Sequence, residues 1–373
     1  MSDPAAGALA GVRIADFGRV LAAPYATMLL ADLGAEVVKV ERPDGGDETR
    51  SWGPPWSEGE STYFLAVNRN KTREVLDLRT PEGRAAAREL VDSCDVVVEN
   101  FRTGTMERFG LGYDDLAAAR PGLVYCSVTG FGAGAGADLP GYDLVLQAVG
   151  GLMSVTGDEH SGPTKVGVAL VDVITGLHAA LGIVAALRHR DRTGQGQRVE
   201  VNLLSSLLSA LTNQASAYVE TGLVPRGMGN RHPSIAPYEV LRTADRPLAV
   251  AAANDKLFGL LADGIDRPDL AKDPRFATNT DRVAHREVLV AELEDRLREE
   301  SADHWFAALT RIGVPCGPIN DLAQAFALAD RLGLDPVVEV PSPERGRTVR
   351  QVAHPIGLSE TPAAYVLAPP VGT

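Results

Sequence analysis

Apolar positions along the first ninety-odd residues fall into two alternating rhythms. GVRIADFG and EVVKVER carry short apolar runs of strand type, and APYATMLLADLGA between them has helical spacing, opened by Pro24 in its first turn. PEGRAAARELVDSC and DVVVENF repeat the helix and strand, and MERFGLGYDDLAAARPG and LVYCSVTGFG follow. Such alternation predicts an α/β fold, a doubly wound parallel sheet with helices on both faces. The first turn, FGRVLAAP, lacks the G-x-G-x-x-G spacing, and GFGAGAGADLPG has the wrong spacing for it, so the topology is Rossmann-like without dinucleotide binding.

The stretch VGVALVDVITGLHAALGIVAALRHR, Val166 to Arg190, is almost wholly apolar yet carries one carboxylate, Asp172. A membrane span needs roughly 20 apolar residues. An aspartate at its centre costs on the order of 3 kcal/mol, and nothing else in the chain resembles a second span. The pattern instead predicts a buried strand, Val166 to Val171, with Asp172 as N-cap of a helix running to about Arg190. Arg188, His189 and Arg190 then supply the cations expected at a helix C-terminus. The edge of a strand meeting a helix start is also where open α/β sheets hold ligands, so capping and chemistry both stand open for Asp172.

Val199 to Thr221 reads as one long helix, and LVPRGMGNRHPSIAPYEVL as an irregular segment punctuated by glycine and proline. Between Tyr238 and Cys316 lie two short strands, YEVLRT and PLAVAAA, then charged amphipathic helices, which define a smaller α+β domain. After GVPCGPIND come another helix, VVEVP and TVRQVAHP. The divisions implied are 1–198 for the large domain, 199–230 for a linker helix and glycine-containing loop, 231–318 for the small domain and 319–373 for a return segment.

Composition narrows the function. With 373 residues, 45% hydrophobic and 23% charged, the chain is long enough for two domains. A net charge of −13 argues against nucleic acid as a partner. Cys94, Cys126 and Cys316 are far apart, without metal-ligand spacing, and read as thiols of a reducing cytoplasm. MSDPAAGALAG lacks the regions of a signal peptide, so the chain reads as cytoplasmic, with no membrane partner. The seven histidines support neither a Ser-His-Asp arrangement nor a metal site. Three candidates remain: Asp172; the basic group Arg42, Arg50, Arg69, Lys71, Arg102 and Arg108 near predicted strand ends; and the flexible GMGNRH segment.

Several of these segments together resemble family III CoA-transferases, a group that includes the α-methylacyl-CoA racemases. They are GVRIADFGRVLAAPYATMLLADLGAEVVKVERPDGGDETRSWGPP, NRNK, DVVVENFRTGTMERFGLGY, GYDLVLQAVGGLMSVTG, VDVITGLHAALGIVAAL and TGQGQRVEVNLL, and the resemblance spans about residue 11 to about 370. It implies that Asp172 is the aspartate forming covalent acyl anhydride and CoA thioester intermediates. Arg42 and Arg108 match contacts to CoA phosphates, and Val20, Leu21 and Ala22 border the pantetheine path. Trp52 and Tyr142 match positions near the acyl pocket. GMGNRH, with Gly227, Gly229 and His232, matches a glycine loop that shields the intermediates, here shorter and poorer in glycine than in formyl-CoA transferases.

The racemases of the family place a histidine directly before an aspartate in G-H-D, whereas this chain reads Gly141-Tyr142-Asp143. A phenol with an ordinary pKa of about 10 is a poor base. The resemblance therefore implies a transferase, leaving a racemase or a non-catalytic CoA-binding protein as alternatives. Leu21 stands where formyl-CoA:oxalate enzymes carry glutamine. ESTYFLAVNRNK, YCSVTGFG, GNRHPSIAPYEVLRTAD and GVPCGPIND look most like the succinyl-CoA:glutarate branch. A dicarboxylate needs a cation for its distal group, for which Arg69, Arg231 or His232 are the candidates. The implied partners are an acyl-CoA thioester, as substrate rather than permanently bound cofactor, and a small carboxylic acid. The implied assembly is an interlocked homodimer of ring-shaped chains.

Overall fold

A computed structural model describes residues 7–372. Its central sheet has six strands, β1 (Arg13–Asp16), β2 (Glu36–Glu41), β3 (Lys71–Val75), β4 (Val96–Glu99), β5 (Val124–Thr129) and β6 (Arg198–Asn202). All neighbours pair in parallel, in the order β3-β2-β1-β4-β5-β6. This is the doubly wound order in which the winding reverses between β1 and β4. Loops leaving those two strands diverge at that point and open a crevice at their carboxyl ends.

Alternate strand residues bury on opposite faces. Ile14, Val37, Val96, Val98, Val124 and Cys126 pack on one side, under helices α1 (Ala22–Asp32) and α4 (Leu170–Thr193). Ala15, Val38, Val40, Val97 and Tyr125 pack on the other, against α2 (Pro81–Asp92) and the Met106 to Leu116 region. Both faces are covered, which is why these strands read as near-continuous apolar runs. On the α4 side lies also α3 (Asp143–Val149), whose Leu146 joins the same core.

The chain forms two compact units. The first comprises residues 1–153, 165–225 and 335–373, and the second 154–164 and 226–334. Residues 199–221, which the apolar pattern casts as one helix, instead begin as β6 and continue as two helices, α5 (Leu203–Ala210) and α6 (Thr212–Thr221). The helical rhythm misled because a half-covered edge strand of five residues runs straight into α5, whose first turn is capped by Asn202. β3 is also absent from the pattern-based reading, since KTREV is too charged to look like a strand. Its charges are accommodated because Lys71 and Arg73 bind carboxylates inside the unit.

The second unit holds a three-stranded antiparallel sheet of β7 (Tyr238–Leu241), β8 (Leu248–Ala251) and β9 (Cys316–Pro318). Helices Asp255–Gly264, Arg286–Leu297 and Ala302–Arg311 cover it through a core centred on Phe258, Leu293 and Trp305. Back in the first unit, the hairpin of β10 (Val337–Ser342) and β11 (Arg347–Val352) packs Val340 and Val349 on Leu65. The three cysteines are free thiols, two of them buried.

Candidate active site

The crevice at the β1/β4 reversal is the candidate site. Its wall is built from Val20, Leu21 and Ala22 after β1, Asn100 to Thr103 after β4, and the end of β5 with the loop to Gly132. Leu139 to Tyr142 and Asp172 complete it. Of the residues singled out from sequence, Asp172, Val20, Leu21, Ala22, Arg102 and Tyr142 therefore share one cavity.

Asp172 does not have the local structure its sequence suggests. Val166 to Val171 is not a strand, and α4 begins at Leu170, so Asp172 is the third residue of the helix and not its cap. The reason lies in Asp143 at the start of α3. Its Oδ1 accepts hydrogen bonds from the amides of Val171 (2.8 Å) and Asp172 (3.3 Å), while its Oδ2 accepts one from Gln147 Nε2 (2.7 Å). Gln147 Oε1 in turn accepts from Val166 N at 2.9 Å. The capping is done from a neighbouring helix. The carboxylate of Asp172 is thereby left for the cavity.

That carboxylate is partly buried, and no described side chain donates a hydrogen bond to it. Burial, then the like charge of Asp143, push its pKa up to about 7. Such a carboxylate is a stronger base and a stronger nucleophile once ionised than one in water.

Asp172 reaches the crevice because α4 crosses close over the start of α1. Gly176, one turn after Asp172 and on the same helix face, makes that crossing possible. A Cβ there would stand 2.6 Å from the carbonyl oxygen of Ala22 and 3.1 Å from Tyr25. At the α1 end, Leu21 occupies the N-cap position without a side-chain hydrogen bond, and Pro24 has no amide hydrogen. The uncapped first turn of α1 thus lies beside the carboxylate, offering amide donors where negative charge would develop.

Trp52 is outside the lining and contacts the site through Tyr63. Their rings meet edge to face at 5.2 Å. Tyr63 belongs to the apolar cluster of Val20 and Leu21, and burial followed by the charges of Asp172 and Asp143 push its pKa up to about 12. Arg42 lines a neighbouring groove with Phe101 and Phe109, joined to the crevice by Arg19, which borders both. Glu48 holds Arg19 at 3.0 Å and lies 3.9 Å from Arg42. Arg108 is in neither lining, and donates to Thr105 Oγ1 at 2.9 Å.

Gly227, Gly229 and His232 belong to the second unit. There the Gly229 amide donates to Gly157 O (2.7 Å), and the His232 Nδ1 accepts from the Ser234 amide (3.1 Å). Two of the three cations considered for a distal carboxylate are committed elsewhere. Arg69 is buried and gripped by Asp32 at 2.6 Å, with Val352 O as a further acceptor, so it is a structural cation. Arg231 pairs with Glu287 at 2.5 Å. Among the described residues no group of three or more His, Cys, Asp or Glu side chains has the arrangement of a metal site.

Residues 9–373 match CoA-transferase family III. A succinate–glutarate CoA-transferase of Agrobacterium fabrum is 43% identical over 367 residues, covering 96% of this chain and 91% of the relative. An acetyl-CoA:oxalate CoA-transferase of Acetobacter aceti is 41% identical over 324 residues, covering 86% and 83%. The crystal structure of a CAIB/BAIF family protein from Brucella suis superposes with a TM-score of 0.87 at 42% identity, covering 98% of this chain and 96% of that one. The chain belongs to CoA-transferase family III, and it is a CoA-transferase.

Proposed function

We propose that the enzyme moves CoA from a dicarboxylyl-CoA thioester such as succinyl-CoA to a carboxylic acid acceptor, with Asp172 as the covalent nucleophile. The observation that carries this is the Asp172 carboxylate itself: without a hydrogen-bonded partner among the described residues, raised in basicity, and set beside the open first turn of α1. A catalytic role explains why an apolar helix start keeps a carboxylate that Asp143 makes unnecessary for capping.

In the first step an Asp172 oxygen attacks the thioester carbonyl, the C–S bond breaks, and CoA leaves as thiolate. The product is a mixed anhydride between Asp172 and the donor acyl group. The thiolate then attacks the Asp172 carbonyl, the anhydride C–O bond breaks and the donor acid departs, leaving an aspartyl-CoA thioester. An acceptor carboxylate attacks that thioester, forming a new anhydride and freeing the thiolate again. Thiolate attack on the acceptor acyl carbon releases the new acyl-CoA and restores Asp172. Each tetrahedral intermediate carries an oxyanion, which the amides of the α1 first turn stabilise. No proton, oxidant or external energy source enters the balance.

Arg42 and Arg108 bind the CoA phosphates, Val20, Leu21 and Ala22 flank the pantetheine arm, and Trp52 and Tyr142 bound the acyl group. The 43% identity to a succinate–glutarate enzyme supports a dicarboxylate pair. Racemisation is the weaker reading, because Tyr142 stands where a second base would be needed. The assembly is a homodimer, supported by the exposed apolar stripe Leu177, Leu181 and Val184 on α4, a face suited to burial by a second chain. α4 is also long and apolar enough to cross a membrane by length and composition alone. The test is incubation with succinyl-CoA and glutarate followed by separation of thioesters. Glutaryl-CoA is the expected product. Failure to form any new thioester across a panel of mono- and dicarboxylates, with α-proton exchange of a 2-methylacyl-CoA instead, would contradict the proposal.

A further inference from the structure

Val20 has φ +66°, a left-handed conformation in a β-branched residue, at the lip of the Asp172 crevice. Such a residue keeps this conformation only where its surroundings over-determine it. Here they do. Along the turn from β1 to α1, the Phe17 amide donates to Val98 O (2.8 Å), and the Gly18 amide to Asp16 Oδ1 (2.8 Å). Gly18 O accepts from Lys39 Nζ (2.8 Å), the Arg19 amide donates to Asn100 Oδ1 (2.8 Å), and Arg19 O accepts from Asn100 Nδ2 (2.7 Å). The Val20 amide faces Asp47 Oδ1 at 3.4 Å.

Two of these clamps are one ion pair. Lys39 Nζ lies 2.9 Å from Asp47 Oδ2, and both side chains are buried. Burial pulls the Lys39 pKa down, but Asp47 and Asp16 more than offset this and hold it above its ordinary value, so the ammonium stays charged. Asp47 is fixed in turn by the amide (3.0 Å) and hydroxyl (2.7 Å) of Thr49. A fully buried, fully charged lysine is a demanding way to hold one loop carbonyl, and an apolar residue would fill the space more simply. The pair grips the turn from two sides, Lys39 at Gly18 O and Asp47 at Val20 N.

We propose that Lys39 and Asp47 are positioning residues for the transfer reaction: their ion pair forces Val20 into the left-handed region and thereby aims the first turn of α1 at the acyl group on Asp172. This rests on the transferase reading above. Without the clamp Val20 relaxes to negative φ, and the amides after it swing away from the developing oxyanion. Neither side chain touches substrate.

The test compares Lys39→Met, Val20→Gly/Lys39→Met and wild type, using succinyl-CoA and glutarate. Lys39→Met is expected to lower kcat by about 100-fold with KM for succinyl-CoA within about threefold, since a misaimed donor weakens the transition state more than substrate binding. Glycine adopts positive φ freely, so the double variant is expected to regain at least about tenfold of the lost kcat. Lys39→Met that folds and keeps kcat within about twofold would overturn the proposal, as would a loss that Val20→Gly fails to restore. If Lys39→Met does not fold, Asp47→Asn, which keeps an oxygen for Thr49 and Val20, is measured in the same way. If wild type itself transfers nothing, the transferase reading has failed separately. The clamp is then read from a crystal structure of Lys39→Met, where Val20 leaving the left-handed region supports it and Val20 staying near +66° overturns it.

Discussion

Asp143 caps the helix that carries Asp172, accepting its amide hydrogen at 3.3 Å and that of Val171 at 2.8 Å. The two carboxylates divide the labour between them. One holds the helix start, and the other is released from that duty and held at raised basicity by burial and by its neighbour's charge.

Acidity gives the first prediction. In the proposed mechanism an ionised Asp172 is the nucleophile, so the rate of the acylation half-reaction should rise with pH through about 7 and level off above it. The profile is read from kcat/KM for succinyl-CoA between pH 5 and about 9. A limb centred near the ordinary carboxylate value of about 4 would contradict the raised pKa.

The same shift bears on stability. A carboxylate whose pKa is raised by folding favours the folded state at low pH, and that contribution is lost as pH rises from the unfolded value of 3.8 through about 7. Asp172→Asn removes the penalty of an ionised, partly desolvated group. It is expected to be more stable than wild type at pH about 8, by up to about 4 kcal/mol, and of similar stability near pH 4. Urea denaturation at the two pH values measures the difference.

Asp143→Asn keeps an oxygen for the Val171 and Asp172 amides but removes the like charge. The acid limb should therefore move to lower pH, at a stability cost of about 1–3 kcal/mol because the new amide nitrogen faces the buried Gln147 Nε2 that Asp143 Oδ2 accepts from. Asp143→Ala removes the cap as well, and is expected to lose about 1 kcal/mol more in a denaturant melt. An unmoved acid limb in Asp143→Asn would show burial alone sets the pKa of Asp172.

Gly176→Ala places a methyl group 2.6 Å from Ala22 O, so α4 must shift off the start of α1. The expected loss is about 1–3 kcal/mol of stability together with about 10- to 100-fold in kcat. Thermal melting and steady-state kinetics separate the two effects.

Arg69→Met would leave Asp32 charged and buried beside His354, whose Nδ1 lies 3.1 Å from it. A destabilisation of about 3–5 kcal/mol is expected, by chemical denaturation. In whatever fraction remains folded, KM for a dicarboxylate acceptor should be unchanged, because Arg69 is packed under the β10–β11 hairpin by Gln351 and Val352.

Much of this was legible in the chain. The βαβ rhythm is local, and the Rossmann-like strand order agrees with it. The lone carboxylate at an apolar helix start is equally local, and it lines the crevice at the β1/β4 reversal. What local pattern could not carry is partnership across the fold. Asp143 lies 29 residues from Asp172, so its capping role was hidden and Asp172 looked like its own cap. Lys39 and Asp47 lie eight residues apart with nothing local to mark them as a buried pair, which strand order alone creates. Gly176 carried no signal, since a glycine in a helix announces close packing only when the crossing helix is known. Arg69 looked available for substrate because its partner, Asp32, sits on α1.

The most direct measurement is mass spectrometry of the protein incubated with succinyl-CoA and then treated with hydroxylamine or borohydride, comparing wild type with Asp172→Ala. A modification or cleavage mapping to Asp172 in wild type and missing from the variant is the predicted result. An unmodified Asp172 under conditions where CoA transfer proceeds, or transfer surviving in Asp172→Ala, would contradict covalent catalysis at this residue.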